Sequence, residues 1–301
     1  LRRRQDFIKF LKDENPDIFI GIDSPSFNSG ICKVLRNDTD IKTVQYVCPQ
    51  FWAWRYGRVN KFNDLYNRIF SLFPFESKLL EKHNVNYTYV GHPLAKNLPT
   101  KINKEDLKKD FDFSIEKKII AILPGSRKSE IKHHDKALVE FIEMYKKENP
   151  ETLIVLALNK ESDLQGGLKE ISKEIEVVFN NTQNVLAACD LAIVASGTAT
   201  LEAAILSKPM VVIYKSNFFS NFILSNFFLK SKFIALPNIL SQEKIVFELR
   251  QNQVTGSEIY DKSILTLNNK KDISERLNSL RKSLLVQDPR KFSKAIQEIL
   301  S

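Results

Sequence analysis

Short apolar runs closed by turn residues recur along this chain and alternate with longer amphipathic stretches. After an opening helix that carries Ile8, Phe10 and Leu11 and stops before Asn15-Pro16, Asp17-Ile18-Phe19-Ile20-Gly21-Ile22-Asp23 reads as a buried strand ending in an acid. Further strands are predicted at 43–47, 69–73 and 87–90, closed by Pro49, Pro74 and Gly91-His92-Pro93, with helical stretches over 55–66 and 75–83. Unbroken apolar strands separated by helices are what a parallel sheet covered on both faces requires.

Residues 94–116 are polar, Lys-rich and carry Pro99, which marks a linker with one lead-in helix. The pattern then restarts. Strands are predicted at 118–123, 153–158, 176–179, 191–194 and 210–214, a helix with a charged outer face over 128–148, and mostly helix from about 243 onward. The predicted fold class is α/β: two Rossmann-like parallel-sheet domains, 1–98 and 99–285, facing a cleft. A closing helix in 286–301 packs either on the first domain or on a partner subunit. Sheets of this kind bind ligands beyond the carboxyl ends of their strands.

Composition narrows the partners. The 301 residues carry a formal net charge of +9, with 43% apolar and 27% charged residues, an ordinary globular balance. A basic chain favours phosphate-bearing partners, although Lys beside many Asn and Ile is also what an A/T-rich genome produces. Cys32, Cys48 and Cys189 are scattered, which argues against a disulfide scaffold and fits a reducing compartment. Zinc-ligand spacing is absent, and the adjacent His133 and His134 suit a metal poorly. No run reaches the roughly 20 apolar residues needed to cross a bilayer, and no signal peptide is recognisable. The chain opens with Leu1-Arg2-Arg3-Arg4 and no initiator Met, so it is expected to start inside a domain.

Two strand-to-helix junctions are the strongest candidates for chemistry. In Leu123-Pro124-Gly125-Ser126-Arg127, the glycine permits close ligand approach, the helix start offers N–H groups, and Arg127 is a bidentate phosphate donor. In Ser196-Gly197-Thr198-Ala199-Thr200-Leu201-Glu202, small residues expose the backbone, Thr198 and Thr200 can donate to a phosphate, and Glu202 can accept from a ribose. A plain turn, and a carboxylate favouring the helix dipole, are the competing readings. Neither junction is GxGxxG or a P-loop, so the dinucleotide dehydrogenase and P-loop NTPase fingerprints are missing.

Asp23, followed by Ser24-Pro25-Ser26-Phe27-Asn28, suits a base at the cleft edge or an N-cap. Trp52, Trp54 and Arg55 offer an apolar wall with a phosphate clamp, or interdomain packing. His92 enters the hinge, as a catalytic or a structural residue. Residues 215–233 gather Phe218, Phe219, Phe222, Phe227 and Phe228 between Lys215, Lys230 and Lys232. This pattern favours a helix lying in a membrane interface over a buried core helix.

Seven ordered blocks carry a resemblance: GIDSPSFN (21–28), YVCPQFWAWRYGRVNKF (46–62), FPFE (73–76), VGHPLA (90–95), LPGSRKSEI (123–131), SGTATLEAAILSKPMVV (196–212) and LPNIL (236–240). The chain resembles the lipid-A-disaccharide synthase family of GT-B glycosyltransferases along nearly its whole length. The resemblance implies an inverting transfer in lipid A and lipopolysaccharide biosynthesis of Gram-negative bacteria. UDP-2,3-diacylglucosamine donates its sugar to the 6-hydroxyl of 2,3-diacylglucosamine 1-phosphate in β-1,6 linkage, and UDP is released. It implies Asp23 as general base, Arg127 on the UDP phosphates, and Glu202 and Asn238 in the nucleotide pocket. The reading of the residues themselves adds Gly125, Ser126, Ser196, Gly197, Thr198 and Thr200 to the UDP site, and Asn28, Trp52, Trp54, Arg55 and His92 as candidate substrate contacts. No cofactor and no metal are expected. The family works peripherally at the inner face of the cytoplasmic membrane; a homodimer stays open, and nucleic acid is not an expected partner.

The chain departs from the family in two places. It lacks the glycine-rich strand-to-helix loop that usually opens the family, so the first domain is expected to be incomplete. Ser26 stands where a second Asp is common, leaving Asp23 alone as the base. Two alternatives remain: another UDP-sugar enzyme of this fold, such as a 2-epimerase or an N-acetylglucosaminyltransferase, and a non-enzymatic protein of anionic membranes.

Overall fold

In the computed structural model the apolar runs become two parallel sheets. The structure describes residues 2–49, 51, 56–99, 103–216, 232–286, 288 and 290–301. The chain divides into two units, 1–95 with 283–301, and 96–282.

The first unit is built on β1 (Ile18–Ile22), β2 (Lys42–Tyr46), β3 (Arg68–Ser71) and β4 (Tyr87–Tyr89), parallel and in that order. Alternate residues of each strand face opposite layers. Ile69 joins Ile31, Leu35 and Leu80 under the helices of one face, while Val44 and Phe70 point to the other. That second face is covered by the helix Lys291–Leu300 of the same unit. Phe292, Ala295, Ile296 and Ile299 recur at helical spacing and form its apolar stripe; the Phe292 and Phe70 rings lie 4.6 Å apart. The closing helix therefore has its apolar partner within its own unit.

The second unit holds β5 (Ile119–Leu123), β6 (Leu153–Leu158), β7 (Glu176–Phe179), β8 (Leu191–Ala195), β9 (Met210–Tyr214) and β10 (Phe247–Arg250), in the order β10-β9-β8-β5-β6-β7. Every position of β5 and β8 is buried. The helix Lys128–Glu148 adds Ile131, Leu138, Phe141 and Ile142 to a core shared with Ile122, Leu156 and Ile193. The chain runs outward from β5 to β7, then returns to lay β8 on the other side of β5. That reversal makes the β5–β8 boundary the topological switch point, where doubly wound sheets open a crevice.

One strand was not legible. Residues 247–250 fall in a stretch that reads as helical, yet Phe247-Glu248-Leu249-Arg250 pairs with β9 at the sheet edge. Glu248 and Arg250 serve a polar network there, so the strand shows no apolar run. No helix among the described residues is long and apolar enough to cross a membrane.

Buried Arg281 ties the start of the second unit to the end of the helix Thr198–Ile205. Its guanidinium donates to Pro99 O and Ile205 O, each at 3.0 Å, and to Leu98 O at 2.6 Å. Arg281→Leu orphans three carbonyls and is expected to lower stability by about 2–4 kcal/mol, read from the urea unfolding midpoint at unchanged slope. A loss below about 0.5 kcal/mol would contradict this role.

Candidate functional site

Leu123 of β5 lies opposite Val194 of β8, so the two strands end side by side and their loops start together. Between these loops lies a pocket of about 280 Å³, lined by Gly125, Ser126, Glu130, Asn159, Thr182, Ser196, Gly197, Thr198 and Glu202. Both junctions singled out in the sequence thus converge on one cavity at the switch point.

The first loop is set by Gly125, at φ 130, where an added Cβ would come within 2.8 Å of Glu130 Cβ. The glycine lets Glu130 fold back. Its carboxylate accepts from Ser126 N at 3.1 Å and from Arg127 Nη1 at 3.0 Å. The Ser126 N–H is therefore engaged by the protein's own carboxylate. Arg127 keeps a 79% exposed side chain, and an exposed ion pair of this kind is weak enough to exchange for a phosphate.

The second loop presents bare backbone: a Cβ on Gly197 would meet nothing within 4 Å. Thr198 and Ala199 open the following helix, whose first turn leaves N–H groups without intrahelical partners. Thr200 behaves otherwise than expected. It is fully buried and its Oγ1 donates to Gly197 O at 2.7 Å, so it secures the turn and does not face the pocket. Ser196 lines the pocket while its hydroxyl donates to Ile234 O at 3.1 Å. Glu202 sits in the second helical turn, too far along for the helix-start reading to explain it. It is half-buried, and burial pushes its pKa up against a hydrogen bond from Gln183.

Asn238 is also a framework residue. Its Nδ2 donates to Val246 O and Glu248 Oε1, both at 2.9 Å, and its Oδ1 accepts from Ile245 N at 2.7 Å and Val246 N at 2.9 Å. A side-chain amide has no capacity beyond this. Glu248 accepts in turn from Ile234 N, Ala235 N and Arg250. The structure does not bring Asn238 to the pocket wall; it braces the helix Leu236–Ser241 against β10.

In the first unit, Asp23 closes β1 with an exposed carboxylate that has no hydrogen-bond partner among the described residues. It is not the N-cap of the helix Pro25–Asp38: that position is Ser24, which makes no side-chain cap bond. Asp23 (φ 52) and Ser24 (φ 40) are both left-handed, a conformation costing about 1–2 kcal/mol per non-glycine residue. Asn28 is 5% exposed and its Nδ2 donates to Asp23 O at 2.6 Å and to Gln45 Oε1 at 3.1 Å, so both amide protons are spent on the loop. His92 accepts from Leu94 N at its Nδ1 (3.2 Å) and stacks on Phe73 at 5.3 Å. Burial lowers its pKa, so a neutral ring carries its proton on Nε2. Trp52, Trp54, Arg55, Phe218, Phe219, Phe222, Phe227 and Phe228 lie outside the described residues. Among the described residues no three His, Cys, Asp or Glu side chains gather as metal ligands.

His134 is the residue that sequence reasoning passed over. Its buried ring accepts from Lys215 N at Nε2 (3.1 Å), which puts the proton on Nδ1, bonded to Pro124 O at 2.7 Å. It thus fastens the pocket loop to the end of β9. A helical His beside another His gives no signal of this in a sequence. Burial chiefly lowers its pKa, with His133 and Lys215 acting the same way and the Pro124 bond and Glu130 opposing.

The unfolded chain protonates such a His below about pH 6.5 while the folded one stays neutral, so stability falls as pH drops through that window. His134→Gln keeps a donor and an acceptor but cannot titrate. Wild type is expected to lose more stability than His134→Gln between about pH 7.5 and about pH 5.5. His92 has the same sign but is present in both proteins, so their difference isolates His134. Parallel urea midpoints across that range would refute the assignment.

The comparisons with known proteins agree with this fold and give its family. The family model described as lipid-A-disaccharide synthetase matches residues 1–299. The chain is 33% identical to the lipid-A-disaccharide synthase of Dechloromonas aromatica, over 99% of this chain and 80% of that protein. It is 35% identical to that of Colwellia psychrerythraea, over 100% and 78%. Among solved structures, the UDP-GlcNAc 2-epimerase of Neisseria meningitidis bound to UDP-GlcNAc is similar in fold, with a TM-score of 0.64 at 12% identity over 99% of this chain and 80% of that one. The glycosyltransferase of kitacinnamycin gives 0.64 at 16% identity, again over 99% and 80%. The chain belongs to the lipid-A-disaccharide synthase family, and is thus a GT-B glycosyltransferase of lipid A biosynthesis.

Proposed function

We propose that this chain transfers the sugar of UDP-2,3-diacylglucosamine to the 6-hydroxyl of 2,3-diacylglucosamine 1-phosphate, with Asp23 as base and UDP held at the ends of β5 and β8. The observation that carries the reading is the pocket itself. Two open loops and the Glu202 carboxylate line it at the switch point of the second sheet, and Arg127, outside the lining, is paired with the lining residue Glu130; this suits a diphosphate joined to a diol.

The roles follow from the chemistry. Glu202 accepts from the ribose hydroxyls. Arg127 exchanges Glu130 for the diphosphate, and the N–H groups at Gly197 and Thr198 add neutral donors. Asp23 takes the proton of the 6-hydroxyl as its oxygen bonds to the anomeric carbon. The bond from that carbon to the β-phosphate oxygen breaks, and UDP leaves with the electron pair. One displacement inverts the centre, so no second carboxylate is needed as nucleophile. No metal takes part in this scheme; the charge on the departing UDP falls to Arg127 and the backbone donors. Acylated substrates bring the enzyme to the inner surface of the cytoplasmic membrane, with Phe218, Phe219, Phe222, Phe227 and Phe228 as the lipid contact and Lys215, Lys230 and Lys232 toward the headgroups.

Arg127→Ala and Glu202→Gln should each weaken UDP binding roughly tenfold or more, as expected when one charge-assisted bond is lost. Asp23→Ala should reduce turnover by about 100-fold or more while leaving the UDP Kd within about twofold. Calorimetry with UDP and a radiolabelled disaccharide assay read the two quantities. Full turnover in Asp23→Ala, or reaction with UDP-N-acetylglucosamine but not with the acylated donor, would overturn the reading.

A further inference from the structure

We propose that Gln45, together with Asn28, is a positioning residue that holds Asp23 ready for proton removal. The inference rests on the reading of Asp23 as base.

Gln45 lies in the middle of β2, fully buried, opposite Gly21 of β1. Its Nε2 donates to Asp23 O at 2.9 Å and lies within reach of Tyr46 O (3.2 Å) and Val47 O (3.3 Å). Its Oε1 accepts from Asn28 Nδ2 at 3.1 Å, and the same Nδ2 donates to Asp23 O at 2.6 Å. Two buried side-chain amides thus converge on one carbonyl. Gly21 makes this possible, because a Cβ there would come within 2.6 Å of Asn28 Nδ2.

The carbonyl belongs to a loop that does not rest comfortably. Asp23 and Ser24 are successive left-handed residues, and Val47, at the end of the neighbouring strand, has φ 74. A β-branched residue there is a genuine outlier. All three lie in the two segments that the Gln45 amide bridges. Such conformations persist only where the surroundings over-determine them, and they concentrate at functional sites. The clamp grips the backbone of Asp23 and leaves its carboxylate exposed and unpartnered among the described residues. The direction of the Cα–Cβ bond follows from the backbone angles. Holding the strained turn therefore aims the carboxylate without touching it. Released, the loop relaxes and the base swings off the line to its hydroxyl, and small misplacements of that kind are costly in rate.

The test uses the full chain with acylated donor and acceptor. Gln45→Met keeps length and burial but removes both polar ends; Asn28→Ala removes the second amide and carries the same test if Gln45→Met does not fold. The expected result is a fall in kcat of about tenfold to 100-fold, with the UDP Kd and the KM for donor within about threefold. In an Asp23→Ala background the same substitution should cost no further turnover, because its only route is through that carboxylate. Two results overturn the proposal: a kcat that falls only with the folded fraction, or a loss that multiplies independently with Asp23→Ala. If Asp23→Ala itself retains turnover, the base assignment fails. If Asp23→Ala is inactive and Gln45→Met turns over at the parental rate, only the positioning role fails.

Discussion

The parallel pairing of β5 with β8 is the constraint on which the second unit's site depends. Strands that are adjacent in space but separated in sequence by β6 and β7 end together, with Leu123 opposite Val194. The loops that leave them cannot avoid bordering the same space. Buried at every position, both strands have their register set by packing on two faces, not by the polar groups at their ends. The chemistry of the pocket can therefore vary without endangering the sheet, and the sheet fixes where that chemistry stands.

Around the pocket, the polar residues sort into framework and ligand-facing groups by whether their bonding capacity is already spent. Asn238, Thr200 and Glu248 are spent: Asn238 and Glu248 satisfy backbone groups of their neighbours, and Thr200 Oγ1 joins its own N–H on Gly197 O. Thr198, Glu202 and Arg127 are not. Glu202 is the costliest of these to hold, since burial disfavours its charged form. A ligand hydroxyl that donates to it recovers part of that cost. Arg127 is the opposite case, solvated and loosely paired.

The fold was largely legible because parallel strands buried on both faces must be continuous apolar runs, and runs such as 119–123 and 191–195 have no other plausible fate. β10 was not, because Glu248 and Arg250 interrupt its pattern for a hydrogen-bond network formed with residues 232–238. The same limit applies to the site. Gly125 and Gly197 announce themselves by position just past strand ends, and Glu202 by following the second of these loops into its helix. Gln45 and His134 do not, since their partners are main-chain atoms brought near only by the sheet: Asp23 O for one, Pro124 O and Lys215 N for the other. Asn238 and Thr200 stand outside the pocket lining for the converse reason. A polar residue in a motif looks available until the backbone groups it must satisfy are known.

The two units solve one local problem in the same way. At each candidate loop a glycine near the end of the first strand has no side chain, and a polar side chain from the following helix occupies the vacated space. Asn28 does so over Gly21 and Glu130 over Gly125, each at distances a Cβ would forbid. Each then binds the loop's own backbone, at Asp23 O and Ser126 N respectively. The difference lies in what the loop must do. An acceptor carbonyl held by neutral amides leaves Asp23 free to carry the local negative charge. A donor N–H held by a carboxylate keeps an anion where the diphosphate is proposed to go, next to Arg127. The first arrangement is built to stay rigid, and the second is built to be exchanged. In the proposed roles a base needs a fixed direction, whereas a leaving group must arrive and depart in every turnover, and the buried amides and the half-buried Glu130 carboxylate match those two demands.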